Sequence, residues 1–156
     1  MTNPLLTPFS LPPFSAIRPE DIVPAVQSAL ADCRAAVERV VAQPGPFTWD
    51  NLCQPLAESD DRLSRIWSPI GHLNSVKNSP ELRAAYEQAL PLLSEYGTWV
   101  GQHEGLYQAY RSLKEGAAFE ALSVPQRKAV DNALRDFELS GIGLSADKQQ
   151  RYGEIV

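Results

Sequence analysis

The sequence predicts an all-α fold, and three observations support that class. Apolar residues recur at steps of three and four along most of the chain, which is the period of amphipathic helices. No sustained period-two alternation and no Asn-Gly hairpin signal competes with them. Proline, serine and glycine stand where helices typically begin and end. We therefore expect an array of about four to five helices, preceded by an extended proline-rich arm.

Residues 1–17 are rich in proline and also carry large apolar side chains. Proline disfavours a regular helix and favours extended backbone, whereas a disordered tail rarely holds so many leucines and phenylalanines. We expect this stretch to be an extended arm that lies over the surface of a helical body. Its apolar residues are Leu5, Leu6, Phe9, Leu11, Phe14 and Ile17.

The first helix is predicted over residues 19–43. Pro19 suits the first helical position, where its missing N–H costs nothing. Glu20 and Asp21 place negative charge at the positive end of the helix dipole. The run Pro44-Gly45-Pro46 ends the helix.

The second helix is predicted over residues 48–77. Thr48 is a favourable N-cap and Asp50 lies in the first turn. Two interior prolines, Pro55 and Pro69, each remove one backbone hydrogen bond. We expect them to bend or break this helix.

The third helix is predicted over residues 79–115, with Gly116 as its stop. It begins with Ser79-Pro80-Glu81, which supplies an N-cap, a proline at the first position and an acid at the second. The interior contains residues that weaken it or allow a neighbour to pack closely, so it forms either one helix or two that meet at a kink. These residues are Pro91, Gly97 and Gly101.

Two further helices are predicted towards the end of the chain. Residues 123–140 open with Ser123-Val124-Pro125-Gln126, which fits a capping box, and residues 141–143 close the helix. Residues 145–156 begin a fifth helix capped by a serine. Because no C-cap signal follows it, we expect this helix to be truncated here and to continue beyond Val156.

Composition narrows the possible functions. A chain of 156 residues suits one domain, and its net charge of −5 comes without any basic face, so we expect no nucleic-acid partner. No run of about eighteen apolar residues occurs, so we expect no membrane span. The N-terminus lacks the basic and apolar regions of a signal peptide, which indicates a cytoplasmic location.

Three polar side chains lie on or near the apolar helix faces. Cys33 and Cys53 are expected to be buried free thiols, as is usual in a reducing compartment. Asp60 lies near the stripe of the second helix, and a buried carboxylate needs partners. We expect it to form an ion pair, with Arg62 or Arg65 among the candidates, or to lie in an exposed turn.

One pair of residues suggests metal chemistry. His103 and Glu104 match the first two positions of the H-E-x-x-H zinc motif, in which two histidines one helical turn apart bind the metal. Tyr107 stands where the second histidine is needed, and His72, the other histidine of the chain, is 31 residues away. We expect His103 to be a packed histidine with a hydrogen-bond partner.

No other catalytic arrangement is indicated. The chain contains no G-x-S-x-G nucleophile elbow and no phosphate-binding glycine loop after a strand. The aromatic residues recur at helical spacing and are expected to form core rather than a binding groove. We therefore predict no catalytic, cofactor-binding or metal-binding residue in this chain.

Several segments resemble one family closely. They are NPLLTPF (residues 3–9), LPPF (11–14), NLCQPL (51–56), HLNSVKNSPEL (72–82), ALRDFELSGIGL (133–144) and QRYGEI (150–155). The chain looks like the N-terminal part of a bacterial member of the thimet oligopeptidase family of zinc metallopeptidases. The resemblance extends over the whole chain.

The resemblance implies a much longer and mostly helical protein, in which two halves flank a deep channel with zinc on its floor. It implies a cytoplasmic enzyme that hydrolyses short peptides, including cleaved signal peptides. Its zinc ligands and catalytic residues belong to the C-terminal half, and none has a matching position here. By this resemblance residues 1–156 form part of a channel wall, are inactive alone, bind no zinc, and have the missing catalytic half as their partner.

The alternative hypothesis is a freestanding helical module whose aromatic stripes dock a partner helix. A self-sufficient small hydrolase is a third hypothesis, but it lacks a recognisable set of catalytic residues. Exposed apolar surface that binds hydrophobic dyes would favour the fragment over the module.

Overall fold

A computed structural model describes residues 2–155. They form seven α-helices and one π-helical turn, which confirms the all-α class. There are more helices than expected because the third predicted helix is divided in two and because a single-turn helix follows it. The helices are α1 (Pro19–Val41), α2 (Gln54–Val76), α3 (Pro80–Gly101), α4 (Glu104–Glu115), α5 (Ala117–Glu120), α6 (Val124–Leu139) and α7 (Ala146–Gly153), and the π-helical turn is Trp49–Cys53.

Side-chain caps determine where several helices begin. Thr48 and Asn51 form a capping box before the π-helical turn: Thr48 Oγ1 accepts from the Asn51 N–H at 3.2 Å, and Asn51 Oδ1 accepts from the Thr48 N–H at 2.8 Å. Ser123 and Gln126 form the same box before α6. Ser79 caps α3, with its Oγ 3.1 Å from a backbone N–H three residues on. Three of the four predicted N-caps are therefore confirmed.

The interior prolines interrupt less than expected. α2 continues through Pro69 and α3 continues through Pro91, so neither proline breaks its helix. Each proline removes one backbone hydrogen bond, at a cost of about 3 kcal/mol. Pro69 is buried, so apolar contact around its ring offsets part of that cost. Pro55 is the second residue of α2, and there the π-helical turn changes into the α-helix.

A glycine-based C-cap ends α6. Gly141 has a φ of +84°, a conformation that only glycine adopts without strain. The Gly141 N–H donates to the Glu138 carbonyl at 3.1 Å, and the Ile142 N–H donates to the Phe137 carbonyl at 3.2 Å. This pair of hydrogen bonds is the Schellman motif. It turns the chain out of α6 and brings Ile142 back into the core, where it is buried.

α7 is shorter than the sequence suggests. It ends at Gly153, a weak helix former, and residues 154–155 form a turn, so the expected continuation through Ile155 is wrong. Val156 lies outside the described residues. Ser145 occupies the N-cap position of α7 but makes no capping hydrogen bond. It hydrogen-bonds the Asp147 side chain instead, and this bond lowers the pKa of the Asp147 carboxyl.

The chain divides into two compact units, the first formed by residues 2–34 and Glu58–Leu93. The N-terminal arm takes part in its core, because Leu5 is only 2% exposed. Asn3 fastens the arm by donating from Nδ2 to the Asp21 carbonyl at 2.8 Å. Other buried side chains of this unit are Ile22, Val26, Ala29, Leu30, Cys33, Ile66, Ile70, Leu73, Leu82 and Ala89.

Ala35–Ala57 and residues 94–155 form the second unit. Its core combines the end of α1, the π-helical turn, the start of α2, and the helices from α4 to α6. The buried members are Val37, Val40, Leu52, Cys53, Leu56, Leu106, Ala109, Leu113, Phe119, Val130, Phe137 and Ile142. Within the described part of the chain, no helix is long and apolar enough to cross a membrane.

Candidate functional site

His103 stands between two helices rather than on a stripe within one. Of the two alternatives expected for residues 79–115, the structure has two helices: α3 ends at Gly101 and α4 begins at Glu104. His103 is the N-cap of α4, and its Nδ1 accepts a hydrogen bond from the Leu106 N–H at 3.1 Å. Histidine is outside the usual set of N-cap residues. Gly101 was the sequence signal for a division here, but no residue of that set marked the start of α4.

The surroundings of His103 explain its role. Its side chain is only 16% exposed, and its ring meets Trp99 edge-on with the centroids 5.0 Å apart. Its Nε2 lies 3.4 Å from Glu38 Oε1. Since Nδ1 accepts a hydrogen bond, the neutral ring that fits both contacts carries its proton on Nε2. The predicted packed histidine with a hydrogen-bond partner is confirmed, although it caps a helix instead of lying on a stripe.

The described residues do not fit a zinc ion. Among residues 2–155, no three histidine, cysteine, aspartate or glutamate side chains lie together as a metal site requires. His72 is exposed on α2, and its ring lies 5.4 Å from that of Phe14. His103 is engaged by a backbone N–H and by Glu38.

Replacing His103 with alanine is expected to lower the free energy of unfolding by about 1–2 kcal/mol, because α4 loses its N-cap. His103→Asn is expected to recover part of this loss, since asparagine offers another acceptor to the Leu106 N–H. Urea unfolding measures both variants, with His72→Ala as the exposed-histidine control. Equal stability of His103→Ala and the unaltered protein would show that the cap contributes nothing.

The two cysteines are buried free thiols, as predicted. Ser59 Oγ donates to Cys33 Sγ at 3.2 Å, and Cys33 Sγ lies 3.5 Å from the Ser59 carbonyl. Burial raises the pKa of Cys53 to about 11, and a hydrogen bond with Tyr110 only partly opposes this effect. A nucleophilic cysteine needs a lowered pKa and access to substrate. Cys53 has neither, so it is a core residue.

The raised pKa of Cys53 predicts a loss of stability in alkali. The folded state holds the thiol proton up to about pH 11, whereas the unfolded thiol releases it near pH 9. The contribution of the Cys53 thiol to the free energy of unfolding is therefore fully present below pH 9. It is lost as the pH rises towards 11 and above, and the loss is about 2 kcal/mol at pH 11. Urea unfolding between pH 8 and 11 should show a smaller fall for Cys53→Ala. The same fall in both proteins would contradict this account.

Asp60 has a different environment from the expected one. It lies within α2, not in a turn, and its residue surface is exposed. No ion pair to it is found among residues 2–155, so the expected partners Arg62 and Arg65 do not hold it. Neighbouring protein removes part of the water from its carboxyl group, and this desolvation raises the pKa of Asp60. Because the described residues give it no ion-pair partner, Asp60 is not assembled into an acid–base pair.

The aromatic residues mostly contribute to packing, as predicted. Trp49, Trp99, Tyr107 and Tyr110 pack against the core of the second unit. In the first unit, the rings of Trp67 and Tyr86 stack with their centroids 4.8 Å apart. Six aromatic side chains are thus engaged in packing.

One cleft lies in the first unit, and we call it the arm cleft. It has a volume of about 470 Å³, within the range of small-molecule sites. Residues 5–9 of the arm form one wall, and α1 and α2 form the others. The helices contribute Ala29, Asp32, Ser59, Asp61, Arg62, Arg65 and Ile66.

Two contacts hold the arm wall in place. The Arg65 guanidinium donates to the Phe9 carbonyl and lies over the Phe9 ring, 5.4 Å from its centroid. Asn3 anchors the arm at its other end through the Asp21 carbonyl. The arm was predictable from the sequence but the cleft was not, because its walls come from segments that are twenty or more residues apart. The signal available in the sequence was the cluster of opposite charges on α2 at residues 61–65.

Comparison with known proteins identifies the class. Residues 23–149 match the family model described as "Neurolysin/Thimet oligopeptidase, N-terminal domain". The chain belongs to this family, which confirms the resemblance inferred from its segments. Over 156 residues it is 76% identical to oligopeptidase A of Salmonella typhimurium and 75% identical to oligopeptidase A of Escherichia coli.

A plant relative is more distant. The chain is 33% identical over 154 residues to a probable cytosolic oligopeptidase A of Arabidopsis thaliana, an alignment that covers 99% of the chain and 22% of that relative. The two bacterial alignments cover 100% of the chain and 23% of each relative. The chain thus spans about a quarter of the length of the curated relatives that it matches.

Proposed function

We propose that this chain is the N-terminal helical region of a cytoplasmic zinc oligopeptidase and forms part of the wall of its substrate channel. The observation that carries the proposal is the family match over residues 23–149, together with 76% identity to a bacterial oligopeptidase A. In this proposal the longer protein hydrolyses short peptides, including cleaved signal peptides. Zinc and the catalytic residues belong to the remainder of that protein, which is the partner of this region.

In this proposal the chain keeps part of the channel wall in a fixed conformation. Fixed walls exclude bulky folded substrates and admit extended peptides. The capping boxes at Thr48 and Ser123 and the histidine cap of α4 fix the helix starts. The Schellman motif at Gly141 fixes the end of α6. These features support a rigid steric filter rather than a reaction centre.

Activity measurements on two proteins test the proposal. One is residues 1–156, and the other is the product of the longest reading frame that contains them. A quenched fluorescent peptide of about ten residues serves as substrate, a folded protein serves as the size control, and elemental analysis measures zinc. We expect the longer protein to bind zinc and to cleave only the peptide, and residues 1–156 to do neither.

Two results would overturn the proposal. Cleavage or stoichiometric zinc binding by residues 1–156 alone would place the chemistry in this chain. Absence of peptidase activity and of zinc in the longer protein would favour the freestanding interaction module. Dye binding by residues 1–156 adds a further distinction, since a region separated from its partner half exposes apolar surface.

A further inference from the structure

We propose that the arm cleft binds a short peptide with free termini. Arg62 takes the peptide carboxylate, and Asp32 and Asp61 take its ammonium group. This inference rests on the proposed function only for the ligand class, because peptides are the compounds that an oligopeptidase encounters. The geometry of the cleft supplies the rest.

The cleft has an apolar floor and a charged rim. Leu5, Ala29 and Ile66 are buried beneath it, whereas Asp32 and Arg62 are exposed around it. Small-molecule sites commonly combine apolar contact area with a few polar groups that fix the orientation of the ligand. A ligand that suits this cleft therefore carries both an apolar side chain and charged ends.

The charges on the rim are of opposite sign but do not pair. Asp32, Asp61 and Arg62 line the same cleft, and the described residues provide none of the three with an ion pair or a side-chain hydrogen bond. A simple anion would leave the two carboxylates unused, and a simple cation would leave the guanidinium unused. A zwitterion matches both signs, and charge-assisted hydrogen bonds at each end give it orientation.

Arg65, the other arginine of the cleft, contacts the arm. Arg65 is bound to the carbonyl and the ring of Phe9, so it holds the arm wall instead of facing a ligand. Leu6 is 45% exposed beside the cleft, and it offers apolar area that a bound side chain would cover. An extended tripeptide spans about 10 Å. This length allows one apolar side chain between the two charged termini.

Hydrogen exchange on the full-length protein tests the inference. The probe is an apolar tripeptide that is N-methylated at its internal amides, so that hydrolysis does not consume it. We expect saturating peptide to slow exchange at residues 5–9 and 59–66. Arg62→Gln is expected to weaken this binding about tenfold, whereas Arg83→Gln, an exposed arginine on α3 outside the cleft, leaves it unchanged.

Modified probes assign the two ends of the ligand. C-terminal amidation should weaken binding about as much as Arg62→Gln, and the two changes together should cost little more than either alone. N-terminal acetylation should weaken binding about as much as Asp32→Asn or Asp61→Asn. Acetylation combined with either substitution should weaken binding little further than one change alone. Exchange without peptide serves as the fold control for every variant.

The outcomes separate this inference from the proposed function. Normal peptidase activity without any slowing at residues 5–9 and 59–66 would overturn the peptide site and leave the proposed function standing. Slowing that Arg62→Gln does not reduce would also overturn it. Slowing that depends on Arg62 and on free termini would establish the site even if the longer protein proved not to be a peptidase.

Discussion

Truncating Leu113 to alanine is expected to lower the free energy of unfolding by about 2–5 kcal/mol. Leu113 lies on α4 and is fully buried in the core of the second unit. The substitution removes its transfer free energy and leaves a cavity, because the neighbouring side chains relax only partly. Alanine is a good helix former, so α4 itself is not weakened by the change.

Leu139→Ala is the matched control, because this leucine lies on α6 of the same unit and is 70% exposed. Leu139→Ala should change the free energy of unfolding by no more than about 0.5 kcal/mol. Urea unfolding of the three proteins measures the difference. Similar costs for the two leucines would show that the core of the second unit does not close around Leu113.

The second large loss of stability is expected when Gly101, the last residue of α3, is replaced by a larger residue. A Cβ atom at this position would lie 2.6 Å from both Cβ and Oγ of Ser140, the residue that follows α6. Ser140 Cβ is joined directly to the backbone, so the loop itself has to move. Gly101→Val is therefore expected to cost about 3 kcal/mol through overpacking.

Gly97→Val provides the control within the same helix. A Cβ atom at Gly97 would meet nothing within 4 Å, and valine is no worse than glycine in a helix. We expect this variant to be as stable as the unaltered protein or slightly more stable by thermal unfolding. If both variants were equally destabilised, the cause would be the helix and not the contact with Ser140.

The contact at Gly101 belongs to a wider set of interactions around the end of α6. Gln102 Nε2 donates to the Ser140 carbonyl at 3.1 Å. Gln149 Nε2 lies 3.2 Å from the Gly141 carbonyl and 3.1 Å from the Ile142 carbonyl. Two glutamine side chains thus satisfy the carbonyls of a loop that leaves its helix. A valine at Gly101 would displace this loop from both of them.

Much of the fold was predictable because its determinants are local. A serine or threonine cap acts on a backbone N–H three residues away, so Thr48, Ser79 and Ser123 mark helix starts in the sequence itself. The burial of Cys33 and Cys53 followed from their places on apolar stripes. The family resemblance was also visible in the sequence, because it rests on continuous segments of the chain.

The position at which the predicted third helix divides was less predictable. Pro91 is the strongest helix breaker in that stretch, yet α3 continues through it. The chain breaks instead after Gly101, beside Ser140, and His103 caps the next helix with support from Trp99 and Glu38. Two of these partners are at least 37 residues away in sequence. Intrinsic helix propensity is a weak preference that such contacts override.

The candidate sites show the same contrast. Neighbouring residues alone indicate the helical class, the capped helix starts, the family, and the mismatch between the residues around His103 and a zinc motif. The folded chain was needed to show that His103 is a helix cap and that Asp32, Asp61 and Arg62 line one cleft. This is because hydrogen bonds, burial and charge act over distances in space. The fold alone brings together residues that are far apart along the chain.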